Sequence, residues 1–182
     1  MEYSIESERQ RLALHFEYFC GRLASGGRGN MISSQLMRDE QFRYFVDALK
    51  GPVHELAITL RSLKQSSYPE ERIIPYLKEL LDNRAPCKTQ IPYRYGEIRW
   101  LAAGALRRVY DALDIRETIV LRDVPVSQSG DEIGELVWEL GVHDEWLHLT
   151  SEECFERLRE MGRLPTHDEV FEWRSVKSHP TV

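Results

Sequence analysis

Apolar residues recur along most of the chain at steps of three and four, the spacing of one helix face. Leu12, Phe16, Phe19 and Leu23 predict a helix over about residues 5–24, which Ser25-Gly26-Gly27-Arg28-Gly29-Asn30 then breaks. Leu36, Phe42, Phe45 and Leu49 predict a second over about 33–49. After Gly51-Pro52, a pair suited to starting a helix, Val53, Leu56, Leu60 and Leu63 mark a third. Ser67-Tyr68-Pro69-Glu70 has capping-box spacing and would open a fourth, with Ile73, Leu77 and Leu80 on one side.

Arg84 to Tyr95 contains two prolines and is expected to be a loop. The most regular periodicity follows it, in Ile98, Leu101, Ala102, Ala105, Val109 and Leu113. Thr118-Ile119-Val120-Leu121 is short and rich in β-branched residues, and predicts a strand that Pro125 would end. Three further capping boxes begin at Ser129, Thr150 and Thr166, each followed by apolar residues, and predict three short helices. From about Ser175 the chain is expected to fray. The pattern therefore predicts a mainly α fold. It would be a single-domain helical bundle over 1–182, with at most a small β element near 117–126.

Glu71 to Leu113 resembles a HEAT-type helical hairpin, within about residues 70–114. Ile73-Ile74-Pro75-Tyr76-Leu77-Lys78-Glu79-Leu80-Leu81 is similar to that family's outer helix. Gly96-Glu97-Ile98-Arg99-Trp100-Leu101-Ala102-Ala103-Gly104-Ala105-Leu106 is similar to its inner one. The connecting loop is longer than the family's usual turn, and no second copy recurs at a fixed period. The resemblance implies a closely packed antiparallel pair, and protein binding through exposed helix faces. Gly96 to Val126 also resembles bacterial toxin-immunity proteins.

Composition narrows the functional classes. Of 182 residues, 42% are apolar and 30% charged, a globular balance, and a chain this long needs neither metal nor disulfide to fold. The start, Met1-Glu2-Tyr3-Ser4-Ile5-Glu6, lacks the basic and apolar regions of a signal peptide, and no run of 18 apolar residues could span a membrane. Cys20, Cys87 and Cys154 are odd in number and far apart, as expected of reduced thiols in a cytoplasmic protein.

A net charge of −6 disfavours a general nucleic-acid binder. The charge is also lopsided: residues 129–162 hold ten acids against Arg157 and Arg159. Trp138 and Trp146 lie in that stretch, and Trp173 lies near it. An acidic field steers a basic partner, and aromatic side chains supply buried anchors. Glu135, Trp138, Glu139, Asp144, Glu145 and Trp146 are therefore the candidate partner-binding residues. The expected function is that of a cytosolic inhibitor, such as an immunity protein that neutralises a basic toxin domain.

The competing reading is a small enzyme or a ligand- or metal-binding protein using His143, Glu145 and His148. Histidine and carboxylate are zinc ligands, but the histidines are five positions apart, which turns them away from each other on a helix. Tyr93-Arg94-Tyr95 with Arg99, Trp100, Arg107 and Arg108 mixes cations and rings, as nucleic-acid surfaces do, yet the arginines also fit a solvent face. No G-x-S-x-G elbow or P-loop occurs. Neither cofactor nor metal is expected, and no catalytic residue is assigned.

Overall fold

The computed structural model describes residues 39–65, 69–90 and 93–173. The helix expected over about 5–24, the glycine-rich link after it and the frayed end from about Ser175 lie outside the described residues, as does Ser67 of the first capping box.

Two helices open the described chain, α1 (Asp39–Leu49) and α2 (Val53–Gln65), the second burying Leu56, Leu60 and Leu63. A single 3-10 turn (Glu71–Ile73), α3 (Ile74–Glu79) and another 3-10 turn (Leu80–Asp82) follow. Glu70 is itself the N-cap of this segment: its side chain accepts the Arg72 backbone N–H and pairs with the Arg72 guanidinium at 2.8 Å. Pro75 stands in the first turn of α3, where its missing N–H costs nothing.

Next comes a β-hairpin, β1 (Pro86–Gln90) and β2 (Arg94–Glu97), where a loop was expected. Cys87 and Thr89 alternate inward along β1, a two-residue period that the prolines obscure. Gly96, across from Cys87, is required by a close approach, because a Cβ there would stand 2.8 Å from Thr89 Cγ2. β2 runs straight into α4 (Ile98–Leu113), which is buried on nearly every side. Its Ala102 and Ala105 are fully enclosed, and the helix packs along α2 and against α3. Asp114, left-handed at φ 57°, caps its end through a backbone N–H to the Tyr110 carbonyl.

The β-branched run at Ile119 opens β3 (Ile119–Pro125), and Pro125 closes it. β4 (Gln128–Ser129) adds to β2 and completes an antiparallel sheet of order β1-β2-β4. Then come α5 (Gly130–Glu139), α6 (His143–Trp146), α7 (Ser151–Glu160) and β5 (Thr166–Phe171), the last antiparallel to β3 in a second sheet.

The expected mainly α bundle with a small β element near 117–126 is therefore wrong. The fold is mixed, with two antiparallel sheets and five strands among the described residues. The box at Thr166 opens no helix. Asp168 accepts the Asp123 backbone N–H at 3.2 Å and pairs with the Arg122 guanidinium. Cross-strand pairing thus takes the groups that a helix N-terminus would have used.

The boxes at Ser129 and Thr150 do cap helices, α5 and α7. At the first, Glu132 Oε2 accepts the Ser129 N–H at 2.6 Å, and Ser129 Oγ accepts the Glu132 N–H at 3.2 Å. That backbone donor, foremost, holds the Glu132 carboxyl below the usual range. Ser129→Ala should cost about 1 kcal/mol, measured by urea unfolding. A change within 0.3 kcal/mol or so would mean that solvent caps the helix equally well.

Among the described residues no helix is long and apolar enough to cross a membrane. Cys87 and Cys154 are free and buried. Burial pushes the Cys87 thiol up to about 12, so it is inert.

Candidate functional site

The acidic stretch folds into α5, α6, α7 and their links. α5 turns Ile133 and Val137 inward, and Glu135, Trp138 and Glu139 to solvent. Gly141, at φ 70°, reverses the chain after the helix. That reversal brings α6 back beside the last turn of α5, with Asp144 and Glu145 exposed.

Trp138 is 64% exposed, although an indole of that size is ordinarily covered. One ring face is held by His143, stacked at 3.8 Å between centroids with an interplanar angle of 20°. His143 is fixed in turn by Asp144, whose Oδ1 lies 3.3 Å from Nδ1. Glu135, Glu139 and Glu145 make no salt bridge among the described residues, so their charges face solvent uncompensated. Leu147, 69% exposed just after α6, adds an apolar contact that periodicity did not single out.

Five of the six candidate residues thus lie on the surface of α5 and α6. Trp146 does not. At 8% exposure it belongs to a core with Tyr95, Ile133, Val137, Phe155, Leu158 and Leu164, and Arg157 lies over its ring at 5.4 Å. Trp146 is a packing residue beneath the face and is closed to a partner.

His143, Glu145 and His148 assemble no metal centre: no group of three or more His, Cys, Asp or Glu among the described residues could hold a metal ion. His143 serves instead as the ring support for Trp138. The cationic and aromatic residues around Tyr93 are also dispersed by the fold. Tyr95 and Arg99 are buried, Arg107 pairs with Asp111 at 3.1 Å, and Arg94 is tied to the Ser127 carbonyl and Glu132. Tyr93 remains exposed, with Lys88 over its ring at 4.5 Å.

A second polar cluster lies inside. Glu97, the N-cap of α4, is ion-paired to Arg99 and lies 3.6 Å from Arg159 Nη1 on α7. Arg99 Nη1 and Nη2 donate to the carbonyls of Arg122 and Asp123, each at 2.7 Å. Those two residues form the irregularity in β3, and Asp123 there has φ 51°. Glu97 and Arg99 are buried, and the cluster pins β3 and α7 to α4.

No family model matches the chain, and neither a curated protein nor a solved structure is significantly similar to it.

Proposed function

We propose that the protein is a cytosolic inhibitor of the immunity type, which neutralises a basic partner, such as a toxin domain, by covering it with the α5–α6 face. The observation that carries the reading is Trp138: a large ring stacked on one side by His143, open on the other, on a face with Glu135, Glu139 and Glu145, which have no salt bridge among the described residues. Such a ring loses little rotamer freedom on docking, and the carboxylates attract a cationic surface from a distance. The free thiols fit a reducing compartment.

Affinity capture from the source cells, followed by mass spectrometry, should recover one stoichiometric basic protein. Trp138→Ala should then weaken its binding by about 2 kcal/mol, chiefly through faster dissociation. Its effect on the free protein's stability should stay within about 0.5 kcal/mol, because the ring is exposed. Reversing Glu135, Glu139 and Asp144 to Lys should slow association and flatten its salt dependence. If binding and its salt response survive both changes, the face is only the solvated side of a well-capped helix.

A further inference from the structure

The second sheet pairs only β3 with β5 among the described residues, so each of its strands is an edge. The two edges differ. On the outer side of β3 the Arg99 guanidinium already occupies the carbonyls of Arg122 and Asp123. β5 has no such cover: Thr166, His167, Asp168 and Val170 are exposed, and only Phe171 is buried. It carries neither lysine nor proline, and the extra residue that breaks the ladder belongs to β3. The devices that ordinarily guard an edge strand therefore do not protect it. Its acids do not repel a neighbour either, because each is already matched. Asp168 pairs with the Arg122 guanidinium, and Glu169 lies 2.8 Å from His167 Nε2.

The backbone fixes how a further strand can pair here. The Val126 N–H donates to the Pro165 carbonyl at 2.8 Å, so Pro165 turns its polar groups toward β3. Alternation along the strand then turns those of His167, Glu169 and Phe171 the same way. The N–H and C=O groups of Thr166, Asp168 and Val170 point to the open side.

We propose that this edge pairs with the same edge of a second copy of the chain, antiparallel about a two-fold axis at Asp168. Only residues with outward groups can bond to one another, so any register displaced by one residue is excluded. Centring on Asp168 sets Thr166 opposite the second copy's Val170, and Val170 opposite its Thr166. Each such pair exchanges two hydrogen bonds. His167 then lies directly opposite the second copy's Glu169, in the closely spaced positions between bonded pairs, where opposite charges attract most. A centre at Glu169 would oppose two glutamates instead, and a centre at His167 two histidines. The two Asp168 side chains do meet, but each brings its own Arg122 guanidinium. On the outer face Val120 and Val170, 44% and 49% exposed and opposite each other, gain a β-branched neighbour in the second copy's Thr166. The joined sheet has four strands, and both of its outer edges are β3, blocked by Arg99. Assembly therefore stops at two copies. None of these residues belongs to the α5–α6 face.

Sedimentation velocity of the intact chain should show a monomer–dimer equilibrium between about 1 and 200 μM. Over the same range, hydrogen exchange should slow with concentration at the amides of Thr166, Asp168 and Val170. The amides of His167 and Glu169, already turned to β3, should change little. His167→Glu opposes like charges at both positions and should weaken association at least about tenfold. Glu169→Lys removes the same attraction and should also weaken it. An equimolar mixture of the two variants should dimerise again, because one position then opposes new opposite charges and the other keeps the parent pair. A parent chain still monomeric at the top of the range, or variants that dimerise as tightly as the parent, would overturn the proposal. So would a mixture that associates no more tightly than either variant alone.

Discussion

Arg99→Met should destabilise the fold by about 3–5 kcal/mol, the cost of removing one partner from a buried ion pair. Arg99 is only 4% exposed, and Glu97 beside it only 1%. Without the guanidinium, Glu97 keeps a single cation, Arg159, and that at 3.6 Å. The carbonyls of Arg122 and Asp123 also lose their donors, a smaller cost because both residues are exposed and water can replace part of the bonding. Lysine should not rescue the variant, since one ammonium cannot span a carboxylate and two carbonyls as a planar fork does. Urea unfolding monitored by circular dichroism would measure it. A loss below 1 kcal/mol or so would mean that water enters the cluster and that β3 is held by its pairing with β5 alone.

Trp146→Ala should cost about 3–5 kcal/mol as well, for a different reason: it removes a large apolar volume from the core that supports α5, α6 and α7. The ring is packed with Ile133 and Val137 from above and Phe155 and Leu158 from α7, and those residues can close only part of the gap. The matched substitution at Trp138 should leave stability almost unchanged. Two tryptophans eight positions apart in an acidic segment are thus separated by denaturation alone, without any partner. Should the two variants unfold at the same urea concentration, the division between face and core drawn through α5 and α6 would be incorrect.

The difference between these tryptophans marks how far the sequence could be followed. Trp138 adjoins Val137, which is one turn from Ile133, so the helical period already turns it outward. α6 is only four residues long and gives no period to read, so Trp146 could not be placed from its neighbours. α4 was legible because sixteen residues with Ile, Leu, Ala and Val on one side leave few alternatives. The β1–β2 hairpin was not, since β1 turns Cys87 and Thr89 inward and β2 buries Tyr95, Gly96 and Glu97, a set with little apolar alternation, and the strands are five and four residues long.

β5 misled for the opposite reason. Thr166 to Glu169 presents helix-capping chemistry, and its partners across the ladder, Pro125, Val124 and Leu121, decide in favour of a strand.

The shortness of β4 has a consequence for the order in which the molecule assembles. Its two residues pair with Tyr95 and Arg94, and the chain between them must first lay down α4 and β3. The Arg94 side chain reaches the Ser127 carbonyl 33 positions away, a loop whose closure costs entropy before any contact repays it. Ser129 is at once the last residue of β4 and the cap of α5, so the helix that bears Trp138 starts directly from a pairing between residues far apart in sequence. During synthesis β2 and β4 both emerge before α5, so the pairing that aims the helix can form as soon as its cap is made. A chain in which β4 has not paired would therefore carry the α5–α6 face on a helix whose start is not held to the sheet.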